Sequence, residues 1–125
     1  MWTHEAEAYR NVLDDFQQRF NTNPRVKKLV TGWNRLVLLD AVDTGSSYGL
    51  VIDSEVLSEV KPLREEDADD EGLVHLQAEE SVLKEIFSGK YNPATALTDG
   101  ALAVFSKERD KVKLEALAMV IWRLG

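Results

Sequence analysis

The sequence predicts an α+β fold in which a five-stranded sheet is backed by helices, and three observations lead there. A first segment carries Tyr9, Val12, Leu13, Phe16 and Phe20 at helical spacing on one face. Between Arg35 and Leu63 the period drops towards two, with short connections that favour an antiparallel meander. From Asp110 to Leu124 the helical period returns.

Each element has its own start and stop. Thr3 can cap the first helix, which runs to about Phe20 before Asn21-Thr22-Asn23 breaks it. Asn23-Pro24 restarts a short helix with proline at its first position, and Gly32 ends it near Val30. Arg35 to Leu39 reads as a strand, Asp43 to Ser46 as a turn, and Tyr48 to Asp53 as a second strand. Val56, Leu57, Val60 and Leu63 mark a third, less regular strand, followed by an acidic loop from Glu65 to Glu71. Gly72 to Ala78 alternates as a fourth strand, and Gly100 to Ser106 is the fifth. ALAVF within that last strand is apolar on both faces, so it is expected to be covered on both sides.

Between the fourth and fifth strands, Glu79 to Ser88 forms a helix whose Val82, Leu83, Ile86 and Phe87 share a face. Gly89 stops it, because glycine enters the left-handed cap conformation without cost. Asn92-Pro93 begins one further helical turn, and Thr98-Asp99-Gly100 turns the chain into the strand. In the final helix Leu114, Leu117, Ala118, Val120, Ile121, Trp122 and Leu124 sweep an arc of roughly 200°, about twice the stripe needed to dock on a sheet. That excess needs a second partner: a lipid, another subunit, or the chain's own first helix.

Composition narrows the function classes. The 125 residues are read as one domain, 1–125, with 44% hydrophobic content. A net charge of −7 argues against nucleic acid and against anionic membrane surfaces. With no cysteine, disulfides, thiolate metal sites and thiol nucleophiles are excluded. MWTHEAEAYR has acidic residues where a signal peptide needs a basic start. The longest apolar run, Ala116 to Trp122, is too short to span a bilayer, so no stable membrane insertion and a cytoplasmic location are expected.

Candidate chemistry is sparse. Gly45-Ser46-Ser47-Tyr48-Gly49 fits the G-x-S-x-G pattern of a hydrolase nucleophile, but that motif needs a helix after it and here a strand follows. Asp67 to Gly72 begins like a calcium loop, yet position 78, where a bidentate glutamate is required, is alanine. His4 is placed in an exposed first turn, and His75 on the strand face opposite Val74 and Leu76, as a surface or hydrogen-bonded histidine. Two distant histidines make a poor metal set, and adjacent Asp14 and Asp15 do not face each other on a helix. No catalytic residue, metal or cofactor is nominated.

One stretch carries a resemblance. A helix, then FSGKYNPATAL, TDG and an apolar strand is similar to the hallmark of the sterol carrier protein type two family, at Gly89, Lys90, Asn92, Pro93 and Gly100. The specific match covers about Gly72 to Gly100 and extends more loosely to Trp122. The resemblance implies a mixed sheet of five strands, a meander plus crossover strands, enclosing an apolar tunnel. It implies non-catalytic binding or transfer of a fatty acyl chain, phospholipid or sterol-like molecule. The residues expected to line it are Phe87, Leu97, Leu102, Val104, Leu117, Ile121 and Trp122. This chain departs from the pattern at Ser106 to Asp110, where many members carry a second glycine, and it ends Arg123-Leu124-Gly125 without a peroxisomal tripeptide. The alternative is a non-enzymatic interaction domain of the same fold with a filled core, its wide helix forming a homodimer seam.

Overall fold

The computed structural model describes residues 2–64, 66 and 73–124, with side-chain surroundings given for those between positions 9 and 118. The elements run α1 (Trp2–Thr22), α2 (Pro24–Leu29), β1 (Arg35–Ala41), β2 (Ser47–Asp53), β3 (Val56–Pro62), β4 (Leu73–Ala78), α3 (Glu80–Phe87), α4 (Pro93–Thr98), β5 (Leu102–Phe105) and α5 (Lys111–Leu124), the last preceded by a 3-10 turn at Glu108–Asp110. The strands form one sheet in the order β3-β2-β1-β4-β5. All pairs are antiparallel except β1 with β4, so the chain crosses over after the meander and returns beside its first strand.

The helix boundaries follow local chemistry. The Asn23 side chain accepts from the backbone N–H of Arg25 and Val26, and Asn92 accepts from Ala94, so each asparagine caps a helix opened by proline. Gly89 (φ +82°) and Gly100 (φ +78°) close α3 and α4, and in each case the following N–H reaches back five residues, Lys90 to Glu85 and Ala101 to Ala96. The β2–β3 hairpin departs from expectation. Its turn places Ser54 (φ 52°) and Glu55 (φ 68°) in the left-handed region with no glycine present.

Register decides which residues share a face. Paired positions put Val37, Leu39, Ala41, Leu50, Ile52, Val74, Ala78 and Leu102 on one side of the sheet, all buried in a single core. Tyr9, Leu13, Phe16 and Phe20 of α1, Val26 of α2, Leu83 of α3, Ala96 of α4 and Leu117 of α5 join that core. The helices therefore pack on one face, and α5 rests against α1, α2, α3 and α4. Leu36, Leu38, Asp40, Ser47, Gly49, His75, Gln77 and Phe105 share the opposite face. There Leu38 is fully buried outside the main core, and a Cβ added at Gly49 would meet the Leu63 side chain at 2.8 Å.

The expectation that β5 is covered on both sides holds only on the helix side. Leu102 is buried, whereas Phe105 is 55% exposed. The reason is position: β5 is a four-residue edge strand, and Phe105 pairs with His75 on the face that carries no helices.

Asp110 also differs from its expected role as a simple helix opener. It is 1% exposed and accepts from Trp33 Nε1 at 2.9 Å and from Arg35 Nη2 and Nε at 2.8 and 3.1 Å. The Arg35 guanidinium also lies 5.2 Å from the Trp33 ring centroid. These bonds pin the start of α5 to the start of β1, and the Arg35 hydrogen bonds hold the Asp110 carboxyl below the usual carboxylate range.

Candidate functional site

Of the residues nominated from sequence, the five with described side chains lie on the helix side, at different depths. Phe87 ends α3 and is buried, its ring edge-on to Phe16 at 4.9 Å. Leu102 from β5 and Leu117 from α5 are buried in the same core, with Val104 half-buried against it. Leu97 lies at the rim, 52% exposed, because Pro93 and Ala96 are the α4 residues that turn inward. Ile121 and Trp122 lie outside the side chains described, as do His4 and the residues 67–72 that resemble the start of a calcium loop. Ala78, where that loop would need its glutamate, is a buried strand residue.

Among the described residues two buried side-chain atoms lack a hydrogen-bond partner, Arg19 Nε, which lies 3.3 Å from Asp15 Oδ2, and the Tyr9 hydroxyl. Tyr9 is 1% exposed, and its hydroxyl has no hydrogen-bond partner among the described residues. An unpartnered buried hydroxyl costs about 1–3 kcal/mol, so its presence needs a reason. Its ring meets Tyr48 edge-on at 5.2 Å. Burial, and then the nearby Glu80 carboxylate, push the hydroxyl's pKa well above the ordinary phenol range. Glu80 is itself buried, accepts from the Thr44 hydroxyl at 3.2 Å, and has its backbone N–H capped by Asp43. The sequence reading missed this pair. The signal it overlooked was a tyrosine hydroxyl on an otherwise apolar helix face.

The opposite face carries a second polar group. Ser47 donates to Asp40 Oδ1 at 3.3 Å, while His75 Nε2 lies 3.5 Å from Asp40 Oδ2 and from Gln77 Nε2. Beside Ser47 an open cleft of about 330 Å³ is lined by Gly45, Ser47, Pro62, Leu63 and Arg64. Serine, histidine and aspartate thus meet at the G-x-S-x-G stretch, but in the wrong order. Acyl transfer needs the histidine between serine and aspartate, so that imidazole takes the serine proton. Here the carboxylate stands in the middle, and the chain continues from Ser47 as a strand, with no helix after the serine. The cluster ties β1, β2 and β4 together and is not arranged as a hydrolase triad. Among the described residues no group of three His, Cys, Asp or Glu side chains could hold a metal.

Taken as architecture, this is a single mixed sheet with its helices gathered over one apolar face. That is the sterol carrier protein 2 fold. No protein-family model matches the sequence, and no curated protein matches it. Among solved structures, sterol carrier protein 2 superposes with a TM-score of 0.63 at 14% identity, over 92% of this chain and 96% of that one. The ubiquinone synthesis protein UbiJ-SCP2 gives 0.61 at 15% identity, over 94% and 98%. Palmitated SCP2L2 from Aedes aegypti gives 0.59 at 13% identity, over 88% and 90%. A segment of the sec-alkylsulfatase Pisa1 from Pseudomonas sp. matches at 0.51 and 17% identity, and this chain spans only 13% of that enzyme. No helix among the described residues is long and apolar enough to cross a membrane.

Proposed function

We propose that the chain is one cytoplasmic lipid-binding domain that takes an apolar molecule, without covalent chemistry, into the layer between its helices and its sheet. The observation that carries this reading is the sterol-carrier fold across nearly the whole chain, including a neighbour described as palmitated. Phe87, Leu102, Val104 and Leu117 would line the ligand, Leu97 would stand at its mouth, and Ile121 and Trp122 would complete the wall. Partition from water supplies the drive, about 0.8 kcal/mol for each buried methylene before ordering costs. Specificity then falls to the length of the space and a few polar groups within it.

Native mass spectrometry after mild purification provides the test. A monomer carrying a lipid-sized adduct is the expected result, together with saturable change in tryptophan emission on adding an acyl ligand, lost in Trp122→Phe. A tight dimer with no extractable lipid, and no response to a broad panel of apolar ligands, would instead make the fold an interaction domain with a filled core.

A further inference from the structure

Resting on the lipid-binding reading above, we propose that Tyr9 and Glu80 form the head-group anchor of the site and select an apolar ligand that ends in a neutral hydroxyl. The Tyr9 phenol is enclosed yet idle: it is 1% exposed, its ring meets that of Tyr48, and its proton has no acceptor among the described residues. Glu80, buried at the first position of α3, receives one hydroxyl bond from Thr44, and a carboxylate can accept several. An alcohol matches this pair, because its oxygen accepts from Tyr9 while its proton goes to Glu80. A fatty carboxylate does not match, because its charge would meet Glu80 in a low-dielectric interior.

The placement connects the anchor to the lining. Tyr9 and Phe16 lie two turns apart on the same face of α1, about 10 Å along the axis, and Phe16 touches Phe87. A chain lying along Phe16 and Phe87 therefore points its end at the phenol. Tyr9, Leu13, Phe16, Phe87, Leu102 and Leu117 belong to one continuous apolar cluster, which joins body to head.

Calorimetric titration of the purified chain with 1-dodecanol and with dodecanoate tests this, using wild type, Tyr9→Phe and Glu80→Gln. Wild type is expected to bind the alcohol at least tenfold more tightly than the acid. Tyr9→Phe should weaken alcohol binding about tenfold while its melting temperature holds or rises, because an unpaired hydroxyl has been removed. Glu80→Gln should narrow the gap between alcohol and acid. Alcohol binding unchanged in Tyr9→Phe, or equal affinity for both ligands in wild type, overturns the anchor and leaves lipid binding standing. A marked fall in melting temperature for Tyr9→Phe also overturns it, since the hydroxyl would then have a structural partner. Failure of every variant to bind either ligand overturns the anchor together with the reading beneath it.

Discussion

The two faces of the sheet are built from the same strands and do opposite work. On the helix side, register collects Val37, Leu39, Leu50, Ile52, Val74 and Leu102 under five helices into one continuous apolar layer. On the other side the same strands present Asp40, Ser47, His75 and Gln77 beside Leu38, with Leu63 lying over Gly49. Strand alternation alone produces this division, since one residue of slip would exchange the two sets. The lesson is that the helix side collects the apolar residues, while the far side spends its polar groups on holding strands together.

The largest expected effect comes from the clamp at the edge of the helix layer. Asp110→Asn leaves the Arg35 guanidinium, with 15% of its side chain exposed, without its carboxylate and should cost about 3–5 kcal/mol in urea unfolding. The pH dependence has a definite sign. A carboxyl held below its unfolded pKa of 3.8 stabilises fully above that value and loses its contribution as pH falls through the lower folded pKa. The acid limb of the stability profile should therefore be shallower in Asp110→Asn than in wild type.

Within the layer itself, Leu83→Ala removes a fully buried side chain and should cost about 3 kcal/mol. Gly49→Ala makes the contrasting probe on the far side. The new methyl would press first on Leu63 Cδ2, the free end of a flexible side chain, so the loss should be about 1 kcal/mol. Equal losses from the two substitutions, measured by urea unfolding, would break the proposed asymmetry between a buried apolar layer and a yielding cover. The smallest effect is a gain. Glu55→Gly should add about 1 kcal/mol by relieving a left-handed residue in the β2–β3 turn, read as a higher melting temperature.

Local chemistry was legible in the sequence because its causes are local. Asn23-Pro24, Asn92-Pro93, Gly89 and Gly100 announce helix starts and stops within a few residues, and the structure caps and closes the helices there. The turn at Ser54-Glu55 was not legible as left-handed, because its residues lack the glycine or asparagine that normally signals that conformation. The Asp110 clamp was hidden for a different reason: its partners lie 75 and 77 positions away and meet only after β1 and α5 are assembled. That the sheet is mixed came from the family resemblance, but the parallel pairing of β1 with β4 was not legible, since strand periodicity says nothing about order. Ser47 and His75 stood out in the sequence and Asp40 did not, because their convergence depends on a register that sequence alone does not supply.

Methyl-resolved NMR of leucine- and valine-labelled protein, titrated with 1-dodecanol or dodecanoate, addresses the central claim most directly. The account predicts saturable shifts at Leu102, Val104 and Leu117, with Leu36, Leu38, Val51 and Leu63 unmoved. Shifts confined to the far-side methyls, or none at any methyl for either ligand, would contradict it.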